Sequence, residues 1–321
     1  MSRTPAPKRP KDSKPPAVSQ RDLFRLDSPL TGEIRGERSL MAFPFFALAK
    51  NAWMKPLSYQ TETVSIEVRP SASGVATIYD KEIVLYIASL MAAKLEAGEQ
   101  VAQDFVFTAH DLFSVTGANH SARSYSRLSE ALERLQGTQI KTNIEAGGEG
   151  EEGFFSWLSE AKLHYSRSRT GERRLKAVKV RLCDWLFRAI LLDRHVLDYA
   201  NAYFQLGPVE RRIYEVARST CGDERLELDL ATFRLQIGYQ NPLANFRAAM
   251  KQIANTDAIP DYHIELVETA AEEETGAEPR RGRKANPVRV VIMPRPLETD
   301  TEDEAGESAP ESDAADPADA G

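Results

Sequence analysis

Between residues 119 and 148 the apolar side chains Tyr125, Leu128, Leu132 and Leu135 recur at i, i+3, i+7 and i+10. That spacing predicts one buried stripe on a single helix. A second stripe on the same cylinder, His120, Arg123, Arg127, Glu130 and Arg134, is polar and mostly basic. Gly137 is expected to stop the helix, because glycine takes left-handed φ cheaply. Residues 139–144 then alternate as a half-buried strand and run into Gly147 and Gly148. Just upstream, residues 108–115 form a short helix candidate, opened by Thr108 with Asp111 three residues on, and closed by Gly117. Short helix, tight turn, basic-faced helix, strand and glycine-rich hairpin is the order of a winged helix-turn-helix.

The pattern around this stretch extends the picture. Residues 64–69 alternate as a strand, and Asp80 is a candidate N-cap for a helix that buries Ile83, Val84, Ile87, Leu90, Met91 and Leu95 before Gly98. Residues 105–107 form a short strand. Past a loop at 147–153, the segments 154–157, 161–167 and 175–182 supply further strands around a turn at Gly171. The same order then returns. Residues 208–220 form a helix ended by Gly222, 226–228 a strand, and 229–237 a short helix closed by Gly238. Asn241 and Pro242 are expected to open the next helix, where Leu243, Phe246, Met250 and Ile253 repeat the i, i+3, i+7, i+10 spacing. Strands at 262–268 and 288–293 follow. Internal repetition therefore predicts an α+β chain of two tandem winged helix-turn-helix domains. The expected boundaries are a disordered basic arm at 1–21, an aromatic-containing segment at 22–60 packed on the first domain, domain one at 61–174 and domain two at 175–295. A disordered acidic tail at 296–321 closes the chain.

The net charge looks wrong for a nucleic-acid binder, but the sum misleads. The whole chain carries −7, but residues 296–321 hold ten Asp or Glu and no Lys or Arg, which leaves the other 295 residues at +3. Residues 1–21 account for +5 of this, so residues 22–295 come to about −2, and a DNA-binding surface on that near-neutral body must come from local patches. The two cysteines, Cys183 and Cys221, make no disulfide framework and fit a reducing compartment. No apolar run approaches the ~18–20 residues of a membrane span, and no secretory signal follows the basic N-terminus, so a cytoplasmic location and no membrane partner are expected. Catalysis has little support. The chain has no Gly-x-x-x-x-Gly-Lys phosphate loop, and His110, His120, His164, His195 and His263 show no paired metal-ligand spacing. A non-enzymatic protein with no cofactor and no metal is the expectation.

The residue types that remain suit duplex recognition. A helix in the major groove reads base edges with its N-terminal side chains, where Arg pairs with guanine and Asn or Gln with adenine. In the first unit these positions hold Ser121, Arg123, Ser124 and Arg127, with Arg134 further along the stripe and Lys141 on the next strand. In the second they hold Asn241, Asn245, Arg247, Lys251 and Gln252. The first wing is expected over 147–153, where Glu149, Glu151 and Glu152 would repel phosphate. The second wing is expected to contain Arg280, Arg281, Arg283 and Lys284, a cluster suited to the minor groove. Arg167, Arg169, Arg173, Arg174 and Lys176, between the two units, are further candidates for phosphates. Ordinary solvated helix faces are the competing interpretation of either helix alone.

Several segments resemble the replication initiator protein A family of bacterial plasmid initiators, common in alphaproteobacteria. They include Arg69-Pro70-Ser71, Gly74-Val75-Ala76-Thr77-Ile78-Tyr79-Asp80-Lys81, Phe107-Thr108-Ala109-His110-Asp111-Leu112 and Leu135-Gln136-Gly137-Thr138-Gln139-Ile140-Lys141-Thr142-Asn143. Asp184-Trp185-Leu186-Phe187, Glu210-Arg211-Arg212-Ile213-Tyr214-Glu215 and Pro260-Asp261-Tyr262 continue the likeness across residues 22–293. The resemblance implies tandem winged helices that bind repeated double-stranded DNA sites at a plasmid origin. It also implies that they help open the duplex for host replication proteins such as a helicase or an initiator. It implies autorepression at the gene's own promoter as well, with a homodimer repressing and a monomer initiating. The loop at 269–286 departs from the family pattern. A repressor without initiation activity, or a scaffold that binds no DNA, are the rival functions.

Overall fold

A computed structural model describes residues 25–150, 152–167, 171–222, 224–268 and 287–296. The expected N-terminal arm, the acidic tail, Glu151 and the 269–286 loop with Arg280, Arg281, Arg283 and Lys284 lie outside the described residues. The chain opens with β1 (Arg35–Glu37), α1 (Arg38–Ala42), β2 (Leu57–Gln60) and β3 (Ser65–Arg69), followed by α2 (Lys81–Glu96). A first unit runs through β4 (Asp104–Phe107), α3 (Ala109–Thr116), α4 (Ala122–Gly137), β5 (Gln139–Thr142), β6 (Leu158–Arg167) and β7 (Arg173–Leu182). The helix α5 (Asp184–Arg188), β8 (Val196–Asp198) and a 3-10 turn, Asn201–Gln205, lead to the second unit. That unit contains α6 (Pro208–Val216), β9 (Leu226–Asp229), α7 (Leu230–Ile237), α8 (Leu243–Thr256), β10 (Tyr262–Glu268) and β11 (Val288–Pro294).

The chain is a mixed α/β protein whose two units share one antiparallel topology. In each, the strand before the helical pair hydrogen-bonds to the last strand of the hairpin that follows it, giving β4-β7-β6 and β9-β11-β10. The same local chemistry builds both helical pairs. Thr108 Oγ1 accepts the Asp111 amide at 3.1 Å, and Asp229 accepts the amides of Ala231 and Thr232 at 3.0 Å, each satisfying donors that a first helical turn leaves open. Gly117 and Gly238 then take φ of 72° and 74° at the two turns, a conformation that side chains resist.

Several sequence expectations change. The hairpin that belongs to the first sheet is β6–β7, paired from Leu158↔Leu182 to Arg167↔Arg173, not the acidic 147–153 loop. A boundary at 174/175 would cut β7 out of its own sheet. β5 leaves that sheet and joins β3 and β2, where its inward Ile140 meets Phe155. Gly137 has no left-handed φ. It is the last residue of α4 and lies so close to the Ser71 turn that an added Cβ would come within 2.6 Å of Ser71 Cβ. Asp80 does not cap α2; its Oδ2 accepts the Thr77 amide at 2.7 Å and turns toward α4. Helix α8 starts one residue after Pro242, whose carbonyl takes the amides of Asn245 and Phe246, so Asn241 is not the cap. Tyr125 and Leu243, first in their stripes, are exposed, although Tyr125 meets Phe113 edge-on at 5.2 Å.

The N-terminal segment packs on both units rather than on the first alone. β1 pairs with β8, and Ile34 and Met41, together with Leu85 of α2, enter the core of the second unit. A buried charge cluster fixes this junction. Lys81 Nζ donates to Glu215 Oε1 at 2.6 Å and to the Leu40 carbonyl at 2.8 Å, and both charged side chains are 1% exposed. Arg212 donates to Glu215 at 3.3 Å and to the carbonyls of Met41, Ala42 and Gln236. Tyr199 and Tyr203 hydroxyls complete the shell of Glu215 at 3.2 and 2.7 Å. Burial pushes the Lys81 ammonium down to about 8, while neighbouring Glu215 works against that shift.

Removing Glu215 strands two buried cations, so Glu215→Ala is expected to lower the unfolding free energy by about 3–5 kcal/mol. Gly137→Ala, which forces the Ser71 turn away from α4, is expected to lower it by about 1–3 kcal/mol. Denaturant titrations followed by far-ultraviolet circular dichroism read both. Wild-type midpoints for either variant contradict the packing described.

Candidate nucleic-acid interface

Helices α4 and α8 occupy the same place in their units, each following a tight glycine turn and leading toward the hairpin. Their buried residues confirm one inward stripe per helix, Leu128, Ala131, Leu132 and Leu135 in α4 and Phe246, Met250 and Ile253 in α8. The opposite faces are solvent-exposed and polar.

On α4 the candidate residues divide into three groups. Ser121 is the N-cap, its Oγ accepting the Ser124 amide at 3.3 Å, and both hydroxyls donate to Asn119 Oδ1 at 2.7 and 2.9 Å. These serines hold the start of the helix in shape. Arg123 and Arg127 are exposed, and no ion pair or hydrogen bond engages either side chain among the described residues. Arg134 behaves differently. Its Nε and Nη2 each donate to the Asp80 carboxylate at 2.8 Å, and its side chain is only 13% exposed. The structure thus corrects the placement of Arg134 among outward base readers: it is a tie between α4 and the start of α2. Lys141 is exposed on β5, 5.9 Å from the Phe154 ring that Arg69 also covers at 4.3 Å.

Ser73 donates to Glu133, and the Ser71 turn presses on Gly137, so the C-terminal half of α4 is partly covered, although Glu133 and Gln136 stay exposed. Its N-terminal half presents the more open face. Sequence spacing also missed a contact there. His110 and His120 are ten residues apart across the turn, yet their rings stack at 4.6 Å with 22° between planes, and Phe113 lies 5.8 Å from His120. Among the described residues no three His, Cys, Asp or Glu come together as metal ligands.

On α8 the candidates lie on two flanks. At 3.6 residues per turn, Asn245 and Gln252 fall on one side and Arg247 and Lys251 on the other. Arg247 and Lys251 both reach Glu268 at the end of β10, at 2.8 and 3.3 Å. These two cations hold the Glu268 carboxyl below the usual range, Arg247 first. Asn245, Gln252 and the Asn241 side chain face solvent, while the Asn241 carbonyl accepts from Arg234 at 3.0 Å.

The β6–β7 hairpin changes the electrostatics of the first unit. At its base Lys179 and Arg181 meet Asp104, at 3.3 and 2.6 Å, and Lys162 meets Glu160 at 2.8 Å. Toward its far end are Arg167, Arg173, Arg174 and Lys176, with the Arg173 guanidinium 3.7 Å above the Tyr165 ring. The basic end is therefore on the hairpin itself, and the acidic loop is elsewhere: Gly147 donates to Asp193 at 2.9 Å and packs near Leu192.

Because Arg134 is committed to Asp80, Arg134→Ala is expected to cost about 1.5–3 kcal/mol of stability, the range for hydrogen bonds to charged groups. A thermal melt as high as that of the wild type would return Arg134 to the solvent-facing candidates.

Comparison with known proteins places the chain. The family profile described as Replication initiator protein A matches residues 35–264. A curated protein of Wigglesworthia glossinidia brevipalpis, named "Putative replication protein", is 29% identical over 255 residues, covering 76% of this chain and 89% of that protein. The crystal structure of domains 2 and 3 of RctB superposes with a TM-score of 0.56 at 12% identity, covering 81% of this chain and 98% of that one, a likeness of fold. Among the described residues no helix is long and apolar enough to cross a membrane. With nearly three-quarters of its length matched by one profile, the chain belongs to the replication initiator protein A family.

Proposed function

We propose that this protein initiates plasmid replication by binding repeated double-stranded DNA sites at an origin through two winged helices, without catalysis of its own. In this proposal α4 and α8 enter successive major grooves, and the β6–β7 hairpin is the wing of the first unit. The bound duplex is then opened for host replication proteins, and the same binding at the gene's promoter represses it. The observation that carries the proposal is the duplicated topology. Two helical pairs in the same sheet order each present an exposed polar second helix next to a hairpin, within a family of replication initiators.

The basic end of β6–β7 supports phosphate contacts for the first unit. Arg123 and Arg127, unpaired on the open half of α4, are the base readers of that unit. Asn245 and Gln252 take that part in the second, with Arg247 and Lys251 exchanging Glu268 for phosphate.

Footprinting of the gene's upstream region with purified protein tests the proposal, and protection of several regularly spaced repeats is expected. A single protected palindrome confined to the promoter would favour the repressor function instead. Changing Arg173, Arg174 and Lys176 together to Ala is expected to weaken binding to all sequences. Each lost phosphate contact should flatten the slope of log K against log salt by about 0.9. Neutralising Glu149 and Glu152 is expected to leave affinity intact. A minimal plasmid carrying this gene with Arg127→Ala and Arg247→Ala should fail to replicate; replication at wild-type copy number rejects the assignment of these helices.

A further inference from the structure

We infer that the cleft between the two units is a track for one sugar–phosphate strand of the duplex that α4 enters, with Lys50 and Gln205 as its contacts. The inference rests on the function proposed above and adds residues to it that neither helix supplies. The cleft has a volume of about 750 Å³ and runs beside the flank of α4 that carries Arg123 and Arg127. Lys50, in the segment before β2, and Gln205, at the end of the 3-10 turn of the second unit, stand on its other walls. A helix seated in a major groove has a phosphate backbone along each flank, because the groove is bounded by the two strands. The flank of α4 that carries Arg127 opens onto this cleft, so the strand on that side passes through it.

The charges in the cleft support this occupant. Arg134 and Arg211 also line it, but each is spent on a wall carboxylate, Asp80 at 2.8 Å and Glu82 at 2.6 Å. What remains is Lys50, Arg123 and Arg127 against Glu130, an excess of two positive charges. No hydrogen bond or ion pair engages Lys50, Arg123 or Arg127 among the described residues, and Lys50 and Gln205 are exposed. A polyanion that continues past α4 matches an unpaired cationic wall which is continuous with the helix face. The wall supplied by Gln205 exists because the units are locked together. Gln205 Nε2 reaches to 3.1 Å from where a side chain on Gly117 would begin, at the turn before α4.

The test uses the full-length protein, a fluorescein-labelled duplex of the gene's upstream repeats and a scrambled duplex of equal length, titrated by anisotropy from 50 to 200 mM salt. Lys50→Ala is expected to weaken binding to both duplexes by the same factor and to reduce the salt slope by about 0.9. Over this range the wild type should then lose about 3.5-fold more affinity than the variant, as that slope requires. Lys50→Arg is expected to retain the wild-type slope. Gln205→Glu, which adds a carboxylate to the opposite wall, is expected to weaken both duplexes without changing their ratio. Wild-type affinity and slope in both Lys50→Ala and Gln205→Glu, with Arg127→Ala still impaired, overturn the track while leaving the proposed function standing. ATP binding that Lys50→Ala abolishes, with duplex binding unmoved, would assign the cleft to a small phosphate ligand and overturn it as well. A wild type with no salt-dependent affinity for either duplex rejects the proposed function itself.

Discussion

The relation between the two units depends on one carboxylate. Glu215 is shared by Lys81, Arg212, Tyr199 and Tyr203, which come from three different stretches of chain, and backbone carbonyls of α1 accept from both cations. Burying such charges is costly, and well-packed apolar side chains often stabilise a junction more. What the cluster supplies is geometry. An apolar seam tolerates sliding, whereas these ion pairs and hydrogen bonds form together in one arrangement. Arg211 adds a second tie beside it, donating to Glu82 of α2 and to the carbonyls of Phe204 and Leu206. The positions of α4 relative to α8, and of Lys50 relative to Gln205, follow from this joint.

The units themselves are built alike and finished differently. Both open their first helix with a side-chain oxygen on free amides and close it with a left-handed glycine. Only the first inserts β5, which diverts the chain to a separate sheet before it returns as β6. That excursion covers the end of α4 with the Ser71 turn and leaves the acidic loop against the π-helical turn at Ala189–Asp193. The second unit runs from α8 into β10 without a detour, and its helix keeps its cations on the sheet through Glu268.

Much of this was legible in the sequence because it is local. The stripe Leu128, Leu132 and Leu135, the cap at Thr108 and the turns at Gly117 and Gly238 need only neighbours within a few residues. The hairpin was misplaced because glycines at 147 and 148 close the strand that follows the basic helix. The better signal was the alternation on both sides of Gly171, which pairs along ten-residue strands. The ends of the stripes also misled: Tyr125 and Leu243 keep the spacing but lie beyond the core's edge. Contacts across long separations were not legible at all. Arg134 meets Asp80 from 54 residues away, and Lys81 meets Glu215 from 134. Arg211, Arg212 and Glu215 look like a solvated helix face until α1 and α2 close over them.

The buried joint between the units has a mechanical consequence for the proposed complex. When two rigidly linked helices grip one duplex, any mismatch between their separation and the pitch of straight DNA must be absorbed by one of the two partners. A hinge between the units would absorb it in the protein. In the proposed complex the duplex absorbs it, and bending a site of 20–30 base pairs by 40–90° costs on the order of 1–6 kcal/mol, a sum that depends on the steps being bent. Part of the energy of association would thereby be stored as strain in the nucleic acid, concentrated at its most deformable steps. In the proposed complex, shape alone would then supply a bias toward unstacking.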